Sequence, residues 1–239
     1  MTCSPAIAER TARGAVVVDL VVLDMAGTTV QDGGLVERAF TAAIAEQGVH
    51  PGDPAYDAML AHVRATMGES KISVFRHLLS GDEPAAQAGN AAFERAYAAL
   101  VDDGHCAPIP GAADVIEQLR TAGIKVALTT GFSRHTADRI LAALGWKDIA
   151  DLTLVPAEAG RGRPFPDLVL TAVLRLEIDD VREVATAGDT TYDVLCGLRA
   201  GARFAAGVLT GAHDEPALRA AGATHVLQSI RDLPAALLA

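Results

Sequence analysis

Residues 16–30 read VVVDLVVLDMAGTTV, a β-branched apolar run that stops at a carboxylate, Asp24, and passes into a glycine-bearing turn. The run from Val16 to Leu23, broken only by Asp19, has the character of a strand buried on both faces, as strands of helix-covered parallel sheets are. Such a strand carries Asp24 to its carboxyl end, the edge of an open α/β sheet where ligands bind. Two positions further on stands Ala26, where a phosphate-handling enzyme would be expected to keep a second acid.

Similar short runs recur at Ile124–Leu128, Glu183–Ala187, Phe204–Val208 and Thr224–Leu227, each separated from the next by helical sequence. That alternation predicts an α/β fold with a doubly wound, Rossmann-like parallel sheet. Between Asp32 and about Cys106 the pattern changes. Strand-like runs vanish, and alanine-rich helical periodicity covers Val36–Gln47, Ala55–Thr66, Lys71–Leu79 and Ala85–Val101. Asp32-Gly33-Gly34 and Ala107-Pro108-Ile109-Pro110-Gly111 mark the two ends as hinges. The expected organisation is a core of residues 1–31 and 107–239 and an inserted α-helical cap of residues 32–106, overhanging the strand ends.

Half of the 239 residues are hydrophobic and only 4% are aromatic, so Ala, Val, Leu and Ile must build the sheet's core. The formal net charge of -10 argues against nucleic acid, whose phosphates call for a basic patch. An acidic protein that handles an anion must create a local positive site with a metal ion, a helix N-terminus or placed cations. Cys3, Cys106 and Cys196 are too few and too scattered for a disulfide framework or a zinc site, which fits reduced thiols in a cytoplasmic protein. The sequence offers no signal-peptide h-region and no membrane span.

Four features fall at strand ends or beside them. Asp24 follows the first strand, Thr129-Thr130-Gly131 the Ile124 strand, and Gly188-Asp189-Thr190-Thr191-Tyr192-Asp193 the Glu183 strand, while Arg163-Pro164-Phe165-Pro166 precedes a helix. Asp24, Asp189 and Asp193 converging on one edge would repel one another unless a cation neutralised them, and Mg2+ suits an all-oxygen site. Thr130 and Arg163 would then grip phosphoryl oxygens while Asp24 attacks phosphorus.

With DMAGTT, TTGFSR, GRPFP and GDTTYD in this order, the chain resembles the haloacid dehalogenase superfamily over its whole core. Asp-x-Ala-Gly-Thr, the arginine at 163 and the cap segment Met67-Gly68-Glu69-Ser70-Lys71 resemble its phosphonoacetaldehyde hydrolase (phosphonatase) family. The resemblance implies Asp24 as nucleophile, and Asp24, the Ala26 carbonyl, Asp189 and Asp193 around Mg2+. It further implies Thr130 and Arg163 on the phosphoryl group, and Lys71 as the amine that forms a Schiff base with the substrate's carbonyl. Met67, Gly131 and Phe132 are the expected substrate-binding neighbours, and a homodimer is the expected association.

Two residues distant in sequence agree with this chemistry. Met67, Lys71, Val74, Phe75 and Leu78 recur at intervals of three and four, which on one helix would set the lysine in an apolar stripe and lower its pKa. Condensed with a carbonyl two atoms from phosphorus, the lysine lets P–C cleavage release an enamine rather than a carbanion, so no acid need protonate a leaving oxygen. Ala26, which cannot act as that acid, points the same way. Three positions depart from the family: Val74 stands where a histidine is found, Phe132 for a tyrosine and Gly34 for a cysteine. These favour a 2-oxoalkylphosphonate related to phosphonoacetaldehyde. The alternatives are a phosphatase of the same superfamily acting on a small phosphomonoester, and a non-catalytic binding protein on the same scaffold.

Overall fold

A computed structural model of the chain describes residues 18–238. Val16 and Val17 of the expected first strand, and the segment read for a signal peptide, lie outside them. Six strands form one parallel sheet in the order β3-β2-β1-β4-β5-β6. They are β1 (Leu20–Asp24), β2 (Lys125–Thr129), β3 (Leu152–Leu154), β4 (Val184–Gly188), β5 (Phe204–Val208) and β6 (His225–Leu227). The motif-bearing strands are neighbours: Asp24 pairs with Thr129 of β2, and Leu23 pairs with Ala187 of β4. The chain runs outward from β1 to β2 and β3, then returns to the other side of β1 with β4. A crevice therefore opens beyond the carboxyl end of β1, as it does at the switch point of any doubly wound sheet.

All five residues of β1 are buried, and they alternate between two cores. Val21 and Leu23 pack in one with Ile116, Val126 and Leu128, while Leu20 and Val22 pack in the other with Leu154, Leu168, Val169 and Cys196. This is the two-residue period of a strand covered on both faces. β3 is the strand without a counterpart in the sequence analysis. It is three residues long and half exposed at Leu152 and Thr153, too short for an apolar run to stand out.

After β1 come the four helices of the insert: α1 (Leu35–Glu46), α2 (Pro54–Ala65), α3 (Lys71–Leu78) and α4 (Glu83–Asp102). Seven more accompany the remaining strands: α5 (Ala112–Thr121), α6 (Arg134–Ala143), α7 (Pro156–Ala159), α8 (Asp167–Arg175), α9 (Thr191–Ala200), α10 (Glu215–Ala220) and α11 (Leu233–Leu238). No helix among the described residues is long and apolar enough to cross a membrane.

The scarce aromatic residues concentrate in the inserted helices. Phe40 of α1 lies 5.0 Å from Phe75 of α3 and 4.6 Å from Phe93 of α4, centroid to centroid. Phe132, from the turn after β2, joins this cluster at 4.6 Å from Tyr97 and 6.2 Å from Phe93. The insert is further tied to the core by Glu94 of α4, which accepts hydrogen bonds from the Ser133 hydroxyl at 2.5 Å and from the Thr136 hydroxyl at the start of α6. A carboxylate there is favoured by the helix's N-terminal partial charge.

The stripe from Met67 to Leu78 holds only if one helix carries Met67 with Lys71. Instead α3 begins at Lys71, with Ser70 in extended conformation as its N-cap, and Met67 lies in the turn between α2 and α3. Gly68 explains the break, since its φ of 95° lies in the left-handed region, outside the helical range.

Candidate active site

Beyond β1 the backbone closes at once. The N–H groups of Thr28, Thr29 and Val30 all donate to the Met25 carbonyl, and Gly27 donates to Val30 at 2.7 Å. Gly27 has φ 88°, and a Cβ there would collide with the Asp189 carboxylate, so the turn that follows Asp24 and the loop that follows β4 can meet only through glycine. The Thr29 hydroxyl pins the turn to the Asp24 carbonyl at 2.9 Å.

Asp24, Asp189 and Asp193 are buried together, each offering an oxygen within 4.8 Å of the others. Asp189 accepts from the Ala212 N–H at 2.7 Å and the Thr28 hydroxyl at 3.4 Å. Asp193 accepts from the Thr190 N–H at 3.1 Å and its hydroxyl at 2.5 Å, in a capping box that starts α9. Burial, opposed by Arg163 and reinforced by Asp193, pushes Asp24 up to about 7. Burial and the charges of Asp24 and Asp193 hold Asp189 well above the usual carboxylate range. Three carboxylates buried within 4.8 Å of one another form a donor set whose charge an oxygen-preferring divalent cation would balance. The residues present therefore fit such an ion.

Arg163 bridges two of these acids, with an ion-pair contact of 2.7 Å from Nη2 to Asp24 and a hydrogen bond from Nη1 to Asp193. Its side chain is 3% exposed, yet Nε and Nη2 lack hydrogen-bonding geometry to any partner. Unsatisfied buried donors on a charged group are costly, and here they border a cavity of about 430 Å³ that Asp24, Thr130, Arg163 and Asp189 share. An oxyanion in that cavity would supply their missing acceptors.

Lys71 lines the same cavity and is 7% exposed. Its Nζ lies 5.2 Å from the ring centroid of Phe132 and 5.9 Å from those of Phe40 and Phe93. Burial, and next the charge of Arg163, bring the amine down to about 8, against the opposing pull of Asp32, Asp24 and Asp189. The lysine is positioned by its own backbone, whose N–H donates to the Gly131 carbonyl at 3.4 Å. Gly131 makes this approach possible, because a Cβ there would stand 2.6 Å from the Glu69 carbonyl oxygen.

Of the residues expected to act at the site, all but Asp193 line this cavity. Asp24, Ala26, Met67, Lys71, Thr130, Gly131, Phe132, Arg163 and Asp189 line the cavity, while Asp193 stands behind Arg163 and Thr190 outside its wall. Val74, three residues beyond Lys71, is buried in the hydrophobic core. Unforeseen contributors are Phe40 and Phe93, which face the lysine, and Thr210, Gly211 and Ala212, whose loop holds Asp189. The loop's place after β5, at the same sheet edge, was the available signal. The aromatic pair gave none, since its members come together only when α1 and α4 pack.

The sequence profile of the haloacid dehalogenase-like hydrolases matches residues 18–201. A phosphonoacetaldehyde hydrolase of Pseudomonas fluorescens strain SBW25 is 31% identical over 190 residues, covering 76% of this chain and 69% of that protein. One from Bacteroides fragilis is 28% identical over 260 residues, covering 91% and 95%. Among solved structures, a phosphonoacetaldehyde hydrolase-like protein of Oleispira antarctica superposes with a TM-score of 0.79 at 25% identity, covering 92% of this chain and 91% of that one. A hydrolase from Pseudomonas syringae gives the same score at 24% identity, covering 92% and 97%.

Proposed function

The chain belongs to the haloacid dehalogenase-like hydrolase family, and on that premise we propose that it hydrolyses the carbon–phosphorus bond of a 2-oxoalkylphosphonate. The observation that carries this reading is the buried Lys71 amine, brought down to about 8, in the cavity that also holds Asp24 and Ala26. The relatives named phosphonoacetaldehyde hydrolase support it.

In the proposed mechanism the neutral Lys71 amine adds to the substrate's carbonyl carbon and, with uptake of one proton from solvent, water leaves, giving an iminium two atoms from phosphorus. Thr130 and Arg163, whose Nε and Nη2 meet no hydrogen-bonding geometry among the described residues, hold the phosphoryl oxygens. An Asp24 oxygen attacks phosphorus, and the electrons of the broken P–C bond enter the C=C bond of a neutral enamine. The leaving group therefore needs no acid, in keeping with alanine at position 26. Water hydrolyses the aspartyl-phosphate, the enamine takes a proton on carbon, and hydrolysis of the imine returns Lys71. Phe40, Phe93 and Phe132 keep water from the amine and so keep it nucleophilic. Asp24, the Ala26 carbonyl and Asp189, with Asp193 behind them, would hold Mg2+, which offsets the combined charge of carboxylates and phosphoryl oxygens when bound.

The test is phosphate release from phosphonoacetaldehyde and its ketone relatives with Mg2+, set against sugar phosphates and nucleotides, for the wild type and Lys71→Arg. The expected result is turnover of an oxo-phosphonate that Lys71→Arg abolishes. Turnover of a phosphomonoester at ordinary enzymatic rates, roughly 1 to 1,000 per second, with no oxo-phosphonate activity, would assign the chain to the phosphatases of its family.

A further inference from the structure

The cavity around Lys71 extends past the groups that the phosphoryl chemistry employs. Asp32, Gly33, Gly34, Val36, Glu37 and Arg64 also line it, contributed by the turn into α1, the first turn of α1 and the end of α2. Most of the charge on this wall is already satisfied. Asp32 accepts from the N–H groups of Gly34 and Val36, both at 3.2 Å, and so caps α1. Both oxygens of Glu37 are held by Arg64, from Nε at 2.8 Å and Nη2 at 2.7 Å. This leaves the Nη1 edge of Arg64, a solvent-exposed guanidinium (side chain 60% exposed) that Glu37 orients at the rim of the cavity, without an acceptor among the described residues. The wall beside it opens to solvent, since Gly33 and Gly34 are exposed and a Cβ on either would meet no atom within 4 Å.

An imine at Lys71 fixes how a substrate would use this space. Its carbonyl carbon is bonded to Nζ and, through one carbon, to the phosphorus held at Asp24 and Arg163. The third bond carries the substituent. A two-carbon oxo-phosphonate has only hydrogen there and fills a minor part of about 430 Å³. Asp32 is engaged by backbone N–H groups and Glu37 by the Arg64 guanidinium, so the cation of this wall is the group with free donors. An anionic substituent would find Arg64, whose planar fork suits carboxylate.

We propose that Arg64 is a specificity-determining residue that binds a carboxylate on the substrate's carbonyl substituent, making the preferred substrate an oxo-acid phosphonate, with 3-phosphonopyruvate its smallest example. The assignment rests on the C–P hydrolase reading above. Hydrolysis of that compound gives phosphate and pyruvate, with water the only co-reactant, by the same imine and enamine.

Phosphate release is measured with Mg2+ on phosphonoacetaldehyde, 2-oxopropylphosphonate, 3-phosphonopyruvate and 5-phosphono-4-oxopentanoate, for the wild type, Arg64→Gln and Arg64→Lys. The neutral ketone separates size from charge. The expected result is a kcat/KM for a carboxylated ketone at least about tenfold above that for 2-oxopropylphosphonate. Arg64→Gln should remove this margin chiefly through KM, and Arg64→Lys should restore part of it. A neutral ketone used as well as the acids, or a margin that survives Arg64→Gln, overturns the arginine assignment and leaves the C–P reading standing. Release from none of the four compounds, with turnover of a phosphomonoester, overturns both.

Discussion

Raising the pH from 7 to 9 should speed C–P cleavage about tenfold, because the amine of Lys71 must be neutral to attack a carbonyl. With burial and Arg163 bringing it down to about 8, the neutral fraction is about 9% at pH 7 and about 91% at pH 9. A solvated lysine would be about 0.03% neutral at pH 7, roughly 300 times less. The sign follows from the group: a cation with a depressed pKa gains reactive form as pH rises through about 8, then levels off. The assay is kcat/KM for phosphate release from a 2-oxoalkylphosphonate between pH 6 and 10, divided by that for an aryl phosphate. The aryl ester reacts at Asp24 without the amine, so the ratio removes titrations on the phosphoryl side. A ratio still climbing tenfold per unit beyond pH 9, or one that does not change with pH, would refute the role assigned to burial.

Ala26→Asp restores an acid two residues from Asp24, and the rate on a phosphomonoester with a poor alkoxide leaving group should rise roughly tenfold to a hundredfold. Steady-state phosphate release checks this, and no gain would remove Ala26 as the cause of leaving-group selectivity. Mg2+ at about 100 times its Kd should stabilise the fold by about 2.7 kcal/mol, read as a melting temperature roughly 5–10 °C above that in EDTA. An identical melting temperature in both would deny the three carboxylates a metal. Tyr97 is fully buried and its hydroxyl has no hydrogen-bond partner among the described residues, so Tyr97→Phe should be neutral or stabilising by up to about 1 kcal/mol in urea denaturation. A loss larger than that would show that the hydroxyl is satisfied by a bound water.

The sheet could be read from the sequence wherever a strand is buried on both faces, since β1, β2, β4 and β5 are continuous apolar runs with no polar face to confuse them. Of the two three-residue edge strands, β6 was read from Thr224–Leu227, while Leu152-Thr153-Leu154, placed by its pairing with Ala127–Thr129, was not. The phosphoryl side of the site was legible for a related reason. Asp24, Thr130 and Asp189 follow strand ends directly, so the sheet's register alone brings them together. Lys71 was legible as a buried amine at the start of its helix, but Met67 does not share that helix, since Gly68 turns the chain and leaves Met67 before α3. The groups that shape the lysine's surroundings lie on separate helices: Phe40, Phe93 and the Glu37–Arg64 pair meet only through tertiary packing, which leaves no mark on any single segment.

The most direct test of the account is covalent capture at Lys71. The protein with Mg2+ and an oxo-phosphonate that it turns over is treated with borohydride, digested and mapped by mass spectrometry. The account predicts a reduced adduct on the peptide bearing Lys71, formed in step with loss of activity and absent without substrate. Phosphate release that continues undiminished under borohydride, with Lys71 unmodified, would contradict it.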